Sequence, residues 1–307
     1  IIMGIIFFSS LLVSFIGLYE KFVNPDIINL YKSSYNTVVK NLGIPGFERV
    51  RIASTLGNPI NLGLFLNVGI LSSIYFIEIS KKITLKLLSL LSLPLFIFVM
   101  LFTLSRTSFG TTFLILVFYF LYKIFSLKNI RWKIFFLTFS ISLISATVFF
   151  VIKNEAIVLL RLFQTLDLSY FGQDPRLEKW SYIFEMLLSS IFYFLYGFGF
   201  GNSGTSGLSD NYIIIENAYL SILYELGLIG LFLFLFIITM FYITLIHLFR
   251  KSIDLRIKLF ALVSLLYLTA YLFGGFFIDI HINNPFSYYF WFFFALALSY
   301  KKLGVKK

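Results

Sequence analysis

Long unbroken apolar runs, separated by short polar or basic connections, set the pattern of this chain. About 20 apolar residues are needed to cross a bilayer core as a helix. Runs of that order occur at approximately 3–19, 60–79, 87–104, 109–125, 134–152, 218–246, 259–276 and 286–300. Each reads as a membrane-spanning helix. The predicted fold class is all-α: a polytopic transmembrane helix bundle of about eight spans, treated as a single membrane domain over 1–307. The chain opens on Ile1 inside an apolar stretch, and the expectation is that a further portion lies upstream.

The polar connections orient the spans. Lys81, Lys82 and Lys86 fill one, Lys128, Arg131 and Lys133 a second, and Arg250, Lys251, Arg256 and Lys258 a third; Lys301, Lys302, Lys306 and Lys307 form the tail. Eight spans put all four groups on one side, which the positive-inside bias makes cytoplasmic. The outer side then holds two long loops, about 20–59 and 153–217, with short helices expected in the second. The stretch "YIFEMLLSSIFYFLYGFGFG" (182–201) is apolar enough to suggest another crossing. A crossing there would send the basic tail outside, so it is expected to lie in the interface or to re-enter without crossing.

Composition narrows the function. The chain is 59% hydrophobic and 13% charged, far from soluble averages of roughly 45–50% and about 25%. It has no cysteine and two histidines, which excludes disulfides and gives no His-rich metal site; no metal or cofactor is expected. The net charge of +11 sits largely at span ends, so it argues for membrane orientation and not for nucleic acid.

Five outer segments carry candidate chemistry. In "FERVRIASTLGNPINLG" (47–63), Arg49 and Arg51 precede a span and Asn58-Pro59 suits a helix start. The arginines read either as snorkelling side chains or as forks for phosphate oxygens. In "TLSRTSFG" (103–110), Ser105, Arg106, Thr107 and Ser108 are expected to form a tight turn between spans. A charge near lipid depth is costly enough to mark Arg106 as a ligand candidate. In "DPRLEKWSYIFEML" (174–187), Asp174-Pro175 starts a helix that sets Arg176 and Lys179 on one face, to meet an anion or only solvent. "YGFGFGNSGTSGLSD" (196–210) has the glycines of a dinucleotide fingerprint without its strand; it reads as a flexible loop or as backbone donors near a substrate. In "ENAYLSILYELGLIG" (216–230), Glu216 and Asn217 head a span, either as a cap or as chemistry, and Glu225 lies deeper, where a carboxylate needs an interior or a watery cleft. A last polar turn holds Asp279, His281, Asn283 and Asn284.

Taken in order, "GNPINLG", "SRTS", "RLEKW", "GFGFG" and "ENAYLSILYELGLIG" resemble the O-antigen ligase and Wzy-type polysaccharide polymerase superfamily, over about 49–236. The resemblance implies a membrane glycosyltransferase on the outer face of the bacterial cytoplasmic membrane. Its substrate would be an undecaprenyl-diphosphate-linked oligosaccharide, with flippase and chain-length regulator proteins as further partners. It implies diphosphate binding by Arg51, Arg106 and Arg176, supported by Arg49, Arg161 and Lys179. Ligases place a histidine where this chain has Glu216, a departure that favours a polymerase. Glu216 is then the candidate general base, oriented by Asn217 or with Asn217 touching sugar, and Tyr170, Trp180 and Tyr182 are candidates for stacking on sugar rings. A ligase delivering glycan to lipid A or protein, and a flippase for the lipid-linked unit, remain the alternatives.

Overall fold

The computed structural model describes residues 1–25, 27, 51–126, 175–203, 213–281 and 286–304. Arg49, Arg161, Tyr170 and the predicted span 134–152 lie outside the described residues. The described part is helical, in agreement with the predicted fold class. Its helices are α1 (Ile2–Phe22), α2 (Pro59–Ile79), α3 (Ile83–Leu101), α4 (Arg106–Ser126), α5 (Pro175–Leu188), α6 (Ile191–Tyr196), α7 (Ala218–Lys251), α8 (Leu255–Gly274) and α9 (Phe286–Gly304), with a 3₁₀ turn at Ser54–Leu56. Six of these, α1 to α4, α7 and α8, are long and apolar enough to cross a membrane. The last predicted span, 286–300, falls in α9, which carries Lys301 and Lys302 in its last turn and is not among the six.

The chain forms two compact units, Ile1–Phe163 with Asp254–Ala270, and Gln164–Ile253 with Tyr271–Lys307. In the first, α2 packs against α1, α3 and α4. Small residues make this close approach feasible, as is usual between membrane helices, where burial of apolar surface drives nothing. Gly63 abuts Ser108 and Gly69 abuts Ser10 so tightly that a Cβ would overlap either serine. Buried polar pairs join the same helices. Asn67 donates to the Thr111 hydroxyl at 2.7 Å and accepts from the Thr112 hydroxyl, and the hydroxyls of Ser73 and Ser92 share a hydrogen bond of 2.8 Å. Near the lysine-rich ends, Glu78 pairs with Lys123 and Tyr119.

In the second unit, the stretch 182–201 does not form one long helix. It breaks at Ser189-Ser190 into α5, of 14 residues, and α6, of 6, neither long enough to span. The Ser190 hydroxyl accepts from the Phe192 amide and starts α6. Ile191, Phe192 and Tyr196 of α6 expose their apolar surface, as expected for a segment bedded in lipid or at its interface. The helix α7 is bent at Gly227, whose φ of 66° and ψ of −170° only glycine adopts readily. The bend frees two carbonyls that the segment after α6 then uses. The Phe198 amide donates to Tyr224 O at 2.8 Å and the Gly199 amide to Glu225 O at 3.0 Å.

Candidate functional site

Arg51 and Arg106 belong to the first unit. The Arg51 Nε donates to the Thr103 carbonyl at 2.8 Å, and the Ile52 amide donates to Phe102 O at 3.1 Å. The segment after Arg51 is pinned by a residue that the sequence did not single out. Glu20, buried at the end of α1, accepts from the amides of Ala53 at 3.0 Å and Ser54 at 2.6 Å. That bond holds Ser54 at a φ of 50°. No local pattern announces it, because Glu20 reaches across more than thirty residues.

The "SRTS" segment is not the turn that the sequence suggested. The turn is Phe102–Ser105, and Arg106, Thr107 and Ser108 already form the first turn of α4. The reason is Ser105, whose hydroxyl accepts from the Ser108 amide and so acts as the cap. Arg106 therefore stands at a helix N-terminus, where a cation gains nothing from the helix dipole but an anion does.

Arg176, Glu216 and Asn217 belong to the second unit, and the structure brings them together. Pro175 opens α5, as its fixed φ favours, and puts Arg176 in the first turn. Its Nε donates to Glu216 Oε2 at 2.6 Å, and its Nη1 reaches Phe277 O at 3.5 Å. The two side chains remain 26% and 41% exposed, and pairs so exposed contribute at most about 1 kcal/mol to stability. The pair is thus better suited to meet a ligand than to hold the fold. Glu216 Oε1 makes no hydrogen bond among the described residues and can accept one.

Glu216 does not cap α7; Asn217 does. The Asn217 Oδ1 accepts from the amides of Tyr219 and Leu220, both at 3.1 Å, and its Nδ2 donates to Phe276 O at 3.3 Å. These bonds engage the Asn217 side chain in holding the helix head. Glu216 has a φ of 53°, an uncommon conformation that surrounding contacts must impose. Those contacts are visible on both sides. Ile215 is fully buried against Ile183, Leu187 and Leu220, and its carbonyl accepts from Trp180 Nε1 at 2.8 Å. The Asn217 amide donates to Asp279 Oδ1 at 3.2 Å. Trp180 thus anchors the backbone beside the site. Tyr182 and Lys179 are exposed on α5.

Glu225 faces an interior, as a carboxylate in an apolar helix must. Its Oε1 accepts from the Gly201 amide at 3.1 Å, the Ser203 amide at 2.8 Å and the Ser203 hydroxyl at 2.8 Å. The Ser203 hydroxyl also pairs with Ser221. The amides of Phe198, Gly199, Gly201 and Ser203 therefore bond to α7.

Asp279, in the turn after α8, is 9% exposed. Burial pushes its carboxyl up to about 6, although hydrogen bonds from the backbone amides of Glu216 and Asn217 oppose the shift. Burial pulls His281 down to about 4, so it is a neutral imidazole at pH 7. Among the described residues, no three His, Cys, Asp or Glu side chains group as a metal site requires.

The O-antigen ligase family model matches residues 90–235, from within α3 to within α7. The match takes in Arg106, Arg176, Glu216 and Asn217 and leaves out Arg51 and Asp279. Neither a curated protein nor a solved structure matches the chain. The matched region is thus similar to the O-antigen ligase family, the resemblance that the motif order suggested, and the membrane-length helices agree with a membrane protein that processes glycans.

Proposed function

We propose that this protein is a polymerase that joins undecaprenyl-diphosphate-linked oligosaccharide repeat units on the outer face of a bacterial cytoplasmic membrane. The observation that carries the reading is the partly exposed Arg176–Glu216 pair, with Glu216 on strained backbone at the head of an apolar helix. In the reaction, an acceptor sugar hydroxyl attacks the anomeric carbon of the donor glycan. The new C–O bond forms as the bond to the diphosphate breaks, and undecaprenyl diphosphate leaves with the electron pair. Glu216 takes the hydroxyl proton, a task that general bases accelerate by about 10²–10⁴-fold. Arg176 donates to the departing diphosphate, whose growing charge makes its hold on the guanidinium stronger in the transition state than before it. Arg51 and Arg106 are the further diphosphate ligands proposed, and Tyr182 the sugar contact.

A second reading has its own support. The matched family is described as O-antigen ligase, and the same proton transfer would serve delivery of a finished glycan to lipid A or protein. Cells lacking the gene, complemented with wild type, Glu216→Gln or Arg106→Ala at equal membrane levels, separate the two on glycan gels. Polymerisation predicts a ladder with wild type and a single repeat unit with either variant. Polymer that forms in the deletion strain yet never reaches its acceptor would establish ligation instead. Ladders of wild-type length from both variants would refute the site.

A further inference from the structure

We propose that Asp279 is the positioning residue for Glu216: its buried carboxylate holds the two peptide planes that aim the Glu216 side chain. The inference rests on Glu216 acting as the base. Asp279 Oδ1 accepts from the Asn217 amide at 3.2 Å, and the Glu216 amide donates to the same carboxyl. These are the nitrogens on either side of the Glu216 Cα. Fixing both fixes φ and ψ of residue 216, and with them the direction of its Cα–Cβ bond. That is what keeps Glu216 at a φ of 53° and its carboxylate on Arg176. Relaxation to a negative φ would swing the carboxylate off the guanidinium. Asp279 is itself too buried to reach substrate, so it acts only through Glu216.

Among the described residues, several charged groups bear on the Asp279 proton. Glu216 and Glu225 disfavour its negative charge, as burial does more strongly, and the carboxyl titrates at about 6. Arg176 reaches the carbonyl of Phe277, two residues before it, and His281, two residues after it, is neutral through the same range. Protonation weakens the acceptor that holds the two amides, so aim is lost as pH falls through about 6.

The test uses the full chain in membranes, with lipid-linked repeat units extracted from the host strain that lacks this gene. Asp279→Asn should lower kcat by about 10-fold, with KM for those units changed less than twofold, as for a group that loses alignment and not binding. In a Glu216→Gln background it should cost nothing further, because both changes remove one function. The wild-type rate should show an acid limb near pH 6 that Asp279→Asn lacks, and Asp279→Glu, which keeps the charge, should recover part of kcat. An equal loss in both backgrounds, or a wild-type rate for Asp279→Asn beside an inactive Glu216→Gln, overturns this inference alone. Wild-type activity in Glu216→Gln overturns the assigned base and this inference with it. Should Asp279→Asn not reach the membrane, a wild-type profile without a limb near pH 6 overturns the proposal.

Discussion

Replacing Gly227 by alanine should detach α6 from α7. The added Cβ would overlap the carbonyl of Leu195 and the amide nitrogen of Tyr196. Both are backbone atoms, so no side-chain rotation relieves the overlap. The φ of 66° with ψ of −170° adds strain of order 1–3 kcal/mol for any residue with a Cβ. If the segments separate, the bonds from Phe198 N to Tyr224 O and from Gly199 N to Glu225 O are lost, at about 1 kcal/mol each. The total cost is roughly 3–5 kcal/mol, near the upper end of single substitutions. Gly197→Ala attacks the same junction from the other side, since its Cβ would overlap the Glu225 carbonyl. The two together should cost less than their sum, because either one already breaks the junction. Gly4→Ala is the control, with its nearest neighbour at an ordinary 3.8 Å. Thermal unfolding in detergent should drop by roughly 6–20 °C for Gly227→Ala, taking the conversion of soluble domains. Limited proteolysis should also begin to cut between Ser189 and Ser203. Unchanged unfolding and continued protection in Gly227→Ala would refute the reasoning.

Glu225→Leu should orphan the buried amides of Gly201 and Ser203, at about 1–3 kcal/mol per unsatisfied group, whereas Glu225→Gln keeps an acceptor and should cost less; unfolding curves of the two variants give the comparison. Asn67→Ala removes the bonds to Thr111 and Thr112 inside the first unit and should cost about 0.6–2 kcal/mol, read from the same curves. The stability contribution of Asp279 should run opposite to its effect on activity. Its folded pKa of about 6 lies above the ordinary aspartate value of 3.8, so the contribution is fully present below about 4 and is lost as pH rises through 6. Wild type minus Asp279→Asn, measured by unfolding between pH 4 and 7, isolates it; a difference that does not vary with pH would refute the assignment.

The membrane helices were legible because length and hydropathy are local properties. So were the starts of α2 and α5, where Asn58-Pro59 and Asp174-Pro175 carry their own cap signals. The "SRTS" segment was misplaced by one turn of helix because a serine cap and a polar turn look alike in sequence. Glu216 and Asn217 were legible as a pair, but only geometry divides their labour between ligand contact and capping. Glu20, Glu225 and Asp279 were hardest to read. Each accepts from backbone amides more than twenty residues away, and a backbone amide has no sequence signature. The close approach of Gly227 to Leu195 and its left-handed backbone are visible only in three dimensions.

The bend in α7 also bears on how the protein tolerates membranes of different thickness. A straight helix of 34 residues would measure about 51 Å, well beyond a hydrocarbon core of about 30 Å, and any change in thickness would tilt it as one rod. With the bend at Gly227, the stretch from Leu228 to Lys251, about 36 Å at 1.5 Å per residue, absorbs such a tilt. The segment Ala218–Leu226 is tied instead to α6 and to the turn around Gly275. A lean of the shaft under hydrophobic mismatch is therefore expected to pivot at Gly227 and to leave the Glu216–Arg176 pair in place.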